Sequence, residues 1–226
     1  MAHTLLIRLQ GPMQAWGVYS RFSVRETLRE PTKSGVIGLL CAALGRDRSA
    51  PLNDLASLRM GVRVDREGKL MVDFQTARNV LNAKGAVLKE AVLSNRYYLA
   101  DAVFLVGLEG DDLTLLEQVQ CALRSPRWLL CLGRRAFPPA APVWLHAGLK
   151  NDRSLEQALT EFPWLVKPPA SSYQREKLPS QLRFVYETGQ GIQTRSDSPI
   201  TYAGRQFANR QVKMEMSVPP GSFLEE

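Results

Sequence analysis

Runs of apolar residues and their spacing predict a strand and then a helix at the start of the chain. Residues 4–9 are almost continuously apolar and predict a buried strand, which Gly11-Pro12 ends. Residues 35–44 are rich in Leu, Ile and Ala, and they predict a helix. The helix should begin at residues 31–34 and stop at Gly45.

The next segment changes to the two-residue alternation of half-buried strands. Residues 60–64 and 70–74 both alternate in this way, and residues 65–68 between them have the composition of a turn. This pattern predicts a β-hairpin. Residues 97–108 are apolar on both faces, so we expect them to form one strand at the centre of a sheet.

A second helix, a short strand and an irregular C-terminal region follow. Asp111 and Asp112 offer an N-cap to a helix whose apolar residues recur at helical spacing from Leu115 to Leu123. Residues 127–132 predict a final short strand. Beyond Pro138 the chain is rich in proline, with a plausible strand at residues 182–186.

The order of these elements predicts an α+β fold with a ferredoxin-like, mostly antiparallel sheet. We expect a domain at residues 1–137 with an inserted arm at about 75–95. The region 138–226 should pack on this domain as an irregular, partly β segment. The helices should cover one face of the sheet, which leaves the other face open, as in RNA-recognition modules.

Composition adds a positive charge to this picture. The 226 residues include 29 Lys and Arg against 22 Asp and Glu, a net charge of +7. Such a balance attracts polyanions, although a solvated exterior would look the same on charge alone. No apolar run approaches the ~18 residues of a membrane span. The N-terminus has no signal-peptide pattern, so we expect a cytoplasmic protein with no membrane partner.

Side chains that perform catalysis are scarce. His3 and His146 are the only histidines, and Cys41, Cys121 and Cys131 lack the spacing of metal ligands. The sequence contains no P-loop, dinucleotide-binding loop or nucleophile elbow. We therefore expect no catalytic residues, no metal site and no cofactor, which favours a binding protein over an enzyme.

Two segments near the N-terminus combine groups that recognise nucleic acid. In LQGPMQAWG, residues 9–17, Gln14 could bond to a base edge and Trp16 could stack on a base. A tryptophan buried in the core is the alternative. In PTKSGVIGLL, residues 31–40, a helix start would present free amides, Lys33 and Ser34 to a phosphate.

Two later segments and the arm complete the candidate RNA-binding set. The third segment, LGRR, spans residues 132–135, and the fourth, GRQFANR, spans residues 204–210. The further candidates from these segments, the arm and the basic N-terminal part are Arg21, Arg25, Arg78, Asn79, Lys84, Lys89, Arg134, Arg135, Arg205, Gln206 and Arg210.

Taken in order, GPMQAWG, PTKSGVIGLL, LGRR and RQFANR resemble the CasD family of type I-E CRISPR Cascade complexes. Each motif alone is weak, but the ordered set is specific and runs along nearly the whole chain. The resemblance implies a ferredoxin-like (RRM/RAMP) domain with a protruding β-hairpin thumb, which residues 75–95 would form. It also implies a non-catalytic role in antiviral defence.

The partners that the resemblance implies are the 5′ handle of crRNA, the CasC backbone subunits, which the family caps, the large subunit CasA, and target DNA near the start of the guide–target duplex. A related type I-C subunit is an endoribonuclease with a Tyr–Lys–His type of site, for which we find no convincing match here. Processing of precursor crRNA without metal stays open as an alternative. So does a basic scaffold protein that contacts only proteins.

Overall fold

The computed structural model describes residues 2–17, 23–87, 91–166 and 178–224. Its larger sheet is antiparallel throughout. In spatial order its seven strands are β10 (Gln193–Thr201), β11 (Gln206–Ser217), β9 (Leu182–Glu187), β4 (Arg59–Arg66), β7 (Val103–Gly110), β1 (His3–Gln10) and β8 (Trp144–Lys150).

Four of these strands, in the order β8, β1, β7 and β4, form the predicted ferredoxin-like unit. Helix α1 (Lys33–Leu44) and the short α2 (Asn53–Ala56) lie between β1 and β4, and α3 (Leu113–Arg124) lies between β7 and β8. The predicted final strand at residues 127–132 is wrong. Its first amides bond to the end of α1 instead, because Arg127 N donates to Ala43 O and Trp128 N to Ala42 O.

Both long helices begin where local chemistry predicts. The Thr32 hydroxyl caps α1 by accepting a hydrogen bond from Gly35 N. Gly45 ends the helix with a left-handed φ of 74°. The Asp112 carboxylate caps α3 by accepting from Leu115 N. These caps satisfy amides that a helix start leaves without partners.

The second face of the ferredoxin-like unit is covered, so the expectation of an open face is wrong for that unit. Helix α4 (Leu155–Glu161) packs across β4 and β7 on the side opposite α1 and α3. Gly61 and Gly107 permit this close approach. A Cβ at Gly61 would lie 2.8 Å from Leu159 Cδ1, and one at Gly107 would lie 2.5 Å from Leu155 Cδ1. The face formed by β4 and β7 is therefore closed to RNA.

A long hairpin forms the core of the smaller sheet. Strands β5 (Lys69–Ala77) and β6 (Val92–Ala100) pair along their whole length, and most of β5 is exposed. On the other side of β6 lie two short strands, β2 (Met13–Gln14) and β3 (Val24–Arg25). We call residues 69–100 the arm. The predicted thumb at 75–95 is its outer part.

The route of the chain into the arm corrects two strand predictions. Residues 60–64 and 70–74 do not pair with each other, because β4 belongs to the larger sheet and β5 to the smaller one. Residues 97–108 are two strands, which Asp101 separates with a left-handed φ of 57°. Gly68 has a φ of 70° and lies against Ala100, where a Cβ would come 2.7 Å from its carbonyl oxygen. The chain therefore enters the arm and leaves it at a single junction, next to Gly68 and Asp101.

The region beyond residue 137 adds β8, β9, β10 and β11 to the larger sheet. Beneath them a second core packs Phe184 and Tyr186 against α4, and Trp164 stacks on Phe223 with ring centroids 5.6 Å apart. Across the ranges that the structure describes, every helix is too short or too polar to cross a lipid bilayer.

Candidate nucleic-acid interface

Three of the four segments meet around the buried ring of Trp16. A Cβ at Gly35 would lie 2.8 Å from this ring, so only glycine fits there without a shift. Gly133 has a φ of 85°, and a Cβ on it would lie 1.7 Å from Ala15 O. Ala15 N also donates to Leu132 O at 3.1 Å. The glycines of the second and third segments therefore let both pack on the first.

The fourth segment joins the same place through buried charges. Arg210 Nε lies 2.6 Å from Asp197 Oδ1, and Asp197 Oδ2 accepts a hydrogen bond from Lys33 N at 2.9 Å. The Tyr202 hydroxyl donates to Ser34 O at 2.5 Å. All four segments thus converge on the first turn of α1.

Burial corrects the proposed RNA contacts of four side chains. Gln14, Trp16, Lys33 and Arg210 are 0%, 0%, 2% and 7% exposed. Gln14 Nε2 donates to Ala102 O at 2.8 Å, and Lys33 Nζ pairs with Glu187 Oε1 at 2.9 Å. These side chains fix the scaffold and do not face RNA in this conformation.

The predicted phosphate site at the start of α1 is wrong for a related reason. The amide of Lys33 already donates to Asp197, and that of Gly35 donates to Thr32. Burial lowers the pKa of the Lys33 ammonium, and the neighbouring Glu187 carboxylate opposes that shift. An aspartate from β10 thus occupies the position where a phosphate was expected.

The other candidates that the structure describes are accessible. Ser34 and Arg134 are half-buried, and the exposed ones are Arg25, Arg78, Asn79, Lys84, Arg135, Arg205 and Gln206. Arg21 and Lys89 lie outside the described residues.

Three arginines cluster at the base of the arm. Arg25 on β3 is in register with Arg96 on β6, and Asp73 on β5 lies opposite Arg96. Arg134 Nη2 donates to Tyr97 O at 2.8 Å and to Arg25 O at 3.2 Å. We call Arg25, Arg96 and Arg134 the arginine cluster.

The arginine cluster carries a surplus of positive charge. Burial lowers the pKa of the Arg134 guanidinium, and Arg96 and Arg25 push the pKa the same way while Asp73 opposes them. Three cations so close together form a field that attracts a polyanion, and Asp73 offsets part of it. Sequence analysis missed Arg96 as a site residue. Its pairing with Arg25 depends on a parallel contact between strands that are distant in sequence.

The two faces of the arm differ, and one of them is the more apolar. Val72 and Phe74 are 51% and 63% exposed, and Tyr97 and Asn95 lie opposite them. Asp73 and Arg96 lie on the other face, because side chains alternate along a strand. Exposed aromatic rings such as that of Phe74 provide surfaces on which unstacked bases stack.

A cavity of about 400 Å³ lies beside α1, next to the point where the segments converge. Gly38 and Cys41 of α1 line one side, and Arg48, Trp128 and Tyr202 line others. The Trp128 ring is 46% exposed. The cavity therefore combines a flat ring with a neighbouring guanidinium.

The groups that could act in catalysis are dispersed among the described residues. His3 Nδ1 accepts a hydrogen bond from Asp152 N, whereas His146 is exposed on β8. Within the described ranges, no three His, Cys, Asp or Glu side chains are placed to hold a metal ion. Burial raises the pKa of the Cys41 thiol to about 11, which disfavours its thiolate form.

Known proteins share this fold and sequence along most of the chain. The family described as "CRISPR-associated protein (Cas_Cas5)" matches residues 4–214. The CRISPR system Cascade subunit CasD of Escherichia coli is 32% identical over 230 residues, which cover 93% of this chain and 95% of that protein.

Two solved structures are similar as well. A chain described as a crystal structure of a Cas protein is 43% identical, with a TM-score of 0.78, and the match covers 96% of this chain and 98% of that one. A chain of a CRISPR RNA-guided surveillance complex is 32% identical, also with a TM-score of 0.78, and the match covers 96% of this chain and 91% of that one.

Proposed function

The chain belongs to the CasD/Cas5 family of CRISPR-associated proteins, and we propose that it binds the 5′ handle of crRNA as a non-catalytic subunit of a type I-E Cascade complex. The likeness to CasD and to a chain of an RNA-guided surveillance complex supports the role in a complex for CRISPR defence. The RNA-binding role rests on the arrangement of this chain's own residues.

The observation that carries this proposal is the arginine cluster beside the converged segments. Arg25, Arg96 and Arg134 stand where the arm meets the domain, and the exposed Arg135 follows directly. An RNA strand that runs from the cavity beside α1 to the arm would pass this cluster. Phosphate contacts of this kind supply most of the affinity for a nucleic-acid backbone.

We expect the aromatic rings on either side of the arginine cluster to contact the bases. The cavity beside Trp128 and Tyr202 has room for an unstacked base, with Arg48 placed for its phosphate. On the arm, Phe74 offers a second stacking surface, and Arg78 and Lys84 near the tip offer phosphate contacts. Stacking contributes about 1–3 kcal/mol per base.

The arm also supports a proposal for the wider assembly. We propose that the domain caps the CasC backbone and adjoins CasA, while the arm crosses the guide–target duplex near its start. The exposed apolar face of the arm supports this role, because a two-stranded hairpin is only marginally stable without a partner surface. The subunit uses no metal and no cofactor for this binding.

Salt-dependent binding of handle RNA tests the proposal. The double variant Arg25→Ala and Arg96→Ala should bind more weakly, and the slope of log affinity against log salt should fall by about 0.7 for each phosphate that the variant no longer neutralises. Arg153→Ala is the matched control, since Arg153 is exposed and lies outside the cluster. An unchanged affinity and slope in the double variant would refute the assignment.

A cleavage assay separates this role from that of an endoribonuclease. Purified chain is incubated with repeat RNA and no divalent metal, and the products are sized. We expect no cut. In a system that contains CasE, the variants His3→Ala and His146→Ala should leave crRNA maturation intact. Cleavage by the pure chain that either variant abolishes would establish the nuclease instead.

A further inference from the structure

A groove separate from the four segments follows residues 138–147 along β8, the outermost strand at one end of the larger sheet. It consists of two hollows of about 660 and 830 Å³. Residues 140–142 and Trp144 line both hollows, so the two hollows adjoin along this segment. We call this feature the edge groove. None of its described lining residues belongs to the four segments.

Apolar side chains dominate the walls of the edge groove. Pro126, Trp128 and Leu129 stand at one end, and Phe162 and Pro163 stand at the other. Leu129 is 94% exposed, an unusual position for a leucine side chain. The backbone amides of Arg127 and Trp128 donate hydrogen bonds to the end of α1 and fix this loop. An ordered backbone therefore holds the side chains of Trp128 and Leu129 out in solvent.

The charged and titratable side chains along the groove are Arg8, Arg124, Arg127, His146 and Lys150, and its described lining contains no carboxylate. Several cations are held in place. The Arg124 guanidinium lies 4.9 Å from the centre of the Trp144 ring, and Lys150 Nζ lies 5.4 Å from that of Phe162. Arg8 Nε donates to Pro142 O at 3.2 Å. Fixed cations lose little entropy when a partner binds.

We propose that the edge groove docks an extended segment of another protein, one that carries apolar anchors beside acidic residues. The acidic residues would meet the cations, and the anchors would contact Leu129, Trp144 and the prolines. The described lining has no Asn, Gln, Ser or Thr, the polar side chains that commonly bond to phosphates and bases. Exposed tryptophan and arginine are instead typical of the centres of protein interfaces.

The shape of β8 makes side chains the main source of recognition. The pairing of β1 with β8 shifts register between Leu5 and Ile7, so β8 bulges across residues 145–148. A bulge prevents another strand from pairing along the whole edge. The docked segment therefore lies across the groove and does not extend the sheet.

Assembly with defined subunits tests the proposal. The chain is co-expressed with a guide RNA and the other protein subunits of its complex, and each component of the purified assembly is quantified. The variant Leu129→Ser should weaken the binding of one protein subunit about tenfold or more, because Leu129 lines the edge groove and not the cavity beside α1. Ile192→Ser is the matched control, since Ile192 is 96% exposed and lies outside the groove. Retention of every protein subunit by Leu129→Ser would overturn the proposal.

A photo-crosslinker identifies what covers the groove. Benzoylphenylalanine at Leu129 should form a bond to an acidic segment of another protein, whereas the same group at Ile192 should not. A crosslink to RNA, or to a second copy of this chain, would overturn the proposal. Handle-RNA binding by the isolated Leu129→Ser variant is measured in parallel. The variant should bind handle RNA with the affinity of the wild type. If the proposed RNA-binding role is wrong, the wild-type chain itself will not bind handle RNA, so the two proposals fail in different measurements.

Discussion

The carboxylate of Asp197 accepts a hydrogen bond from the backbone amide of Lys33, although the two residues are 164 positions apart in the chain. The same carboxylate pairs with Arg210. A strand from the C-terminal region thus caps the helix that follows the first strand. Asp197 and Arg210 are both buried, so this contact holds the two ends of the chain together without help from solvent.

Removal of Asp197 should therefore destabilise the fold. Asp197→Ala leaves Arg210 buried without this partner and the first amide of α1 without an acceptor, and we expect a loss of about 3–5 kcal/mol in the free energy of unfolding. Urea denaturation measures it. Asp54→Ala is the control, because its partner Arg46 is more exposed and such pairs contribute less than about 1 kcal/mol. Equal losses in the two variants would contradict this account.

Substitution of Gly133 should separate the packed segments. Gly133→Ala places a methyl group against Ala15 O and strains a left-handed backbone, and we expect a loss of about 2 kcal/mol or more in unfolding free energy. Handle-RNA affinity should fall as well. Gly189→Ala is a suitable control, since a Cβ there meets nothing within 4 Å. If both variants melt at the same temperature, the tight packing at Gly133 is not limiting.

Shortening of the arm should leave the domain folded. Replacement of residues 79–93 by a short Gly-Ser linker keeps the base of the hairpin, where Leu99 and Tyr98 pack on the main core. Thermal unfolding should stay cooperative, while guide-RNA assembly or target-DNA recognition weakens. Loss of the cooperative transition would show that the outer arm belongs to the core.

Unfolding free energy should fall as the pH rises above about 9. Burial raises the pKa of Cys41 from 9.0 to about 11 and that of Tyr186 from 10.0 to about 12. The native state then holds protons that the unfolded state has released, so each group lowers stability by about 1.4 kcal/mol per pH unit within its window. Lys33 acts in the opposite direction, since burial lowers its pKa.

Comparison of two cysteine variants isolates this effect. Cys41→Ala should reduce the loss of stability between pH 9 and 11, whereas Cys121→Ala should not, because Cys121 is exposed. The measurement is urea denaturation at a series of pH values. Parallel pH profiles for the wild type and Cys41→Ala would contradict the assignment.

Local chemistry was enough to predict α1 and α3, because their caps and stops are set by nearby residues such as Thr32, Gly45 and Asp112. Sequence analysis missed the short helices α2 and α4, although Ser154 and Gln157 form a capping box at the start of α4. The strand partners depend on contacts that no local pattern encodes. Residues 97–108 look like one apolar strand, and the only internal sign of a break is Asp101, a residue type that tolerates a left-handed backbone.

The same limit applies to the candidate site, where the errors concern contacts between residues that are distant in the sequence. Lys33 at a helix start resembles a phosphate ligand, and its real partner, Glu187, is 154 residues away. Trp16 is buried, the alternative that sequence analysis left open. Acidic residues within an otherwise basic C-terminal segment were the available hint that some of the cations there are internally paired.

The junction at Gly68 and Asp101 has a consequence for how far the arm reaches. The chain passes from β4 into the arm and returns from the arm to β7 at this one place. Changes in the length of the arm beyond it therefore do not disturb the register of β4 or β7. Two residues added to each strand would lengthen the arm by about 7 Å and keep Phe74 on the same face, whereas one residue would reverse the faces. The span of the arm can therefore be adjusted in discrete steps, independently of the domain that carries it.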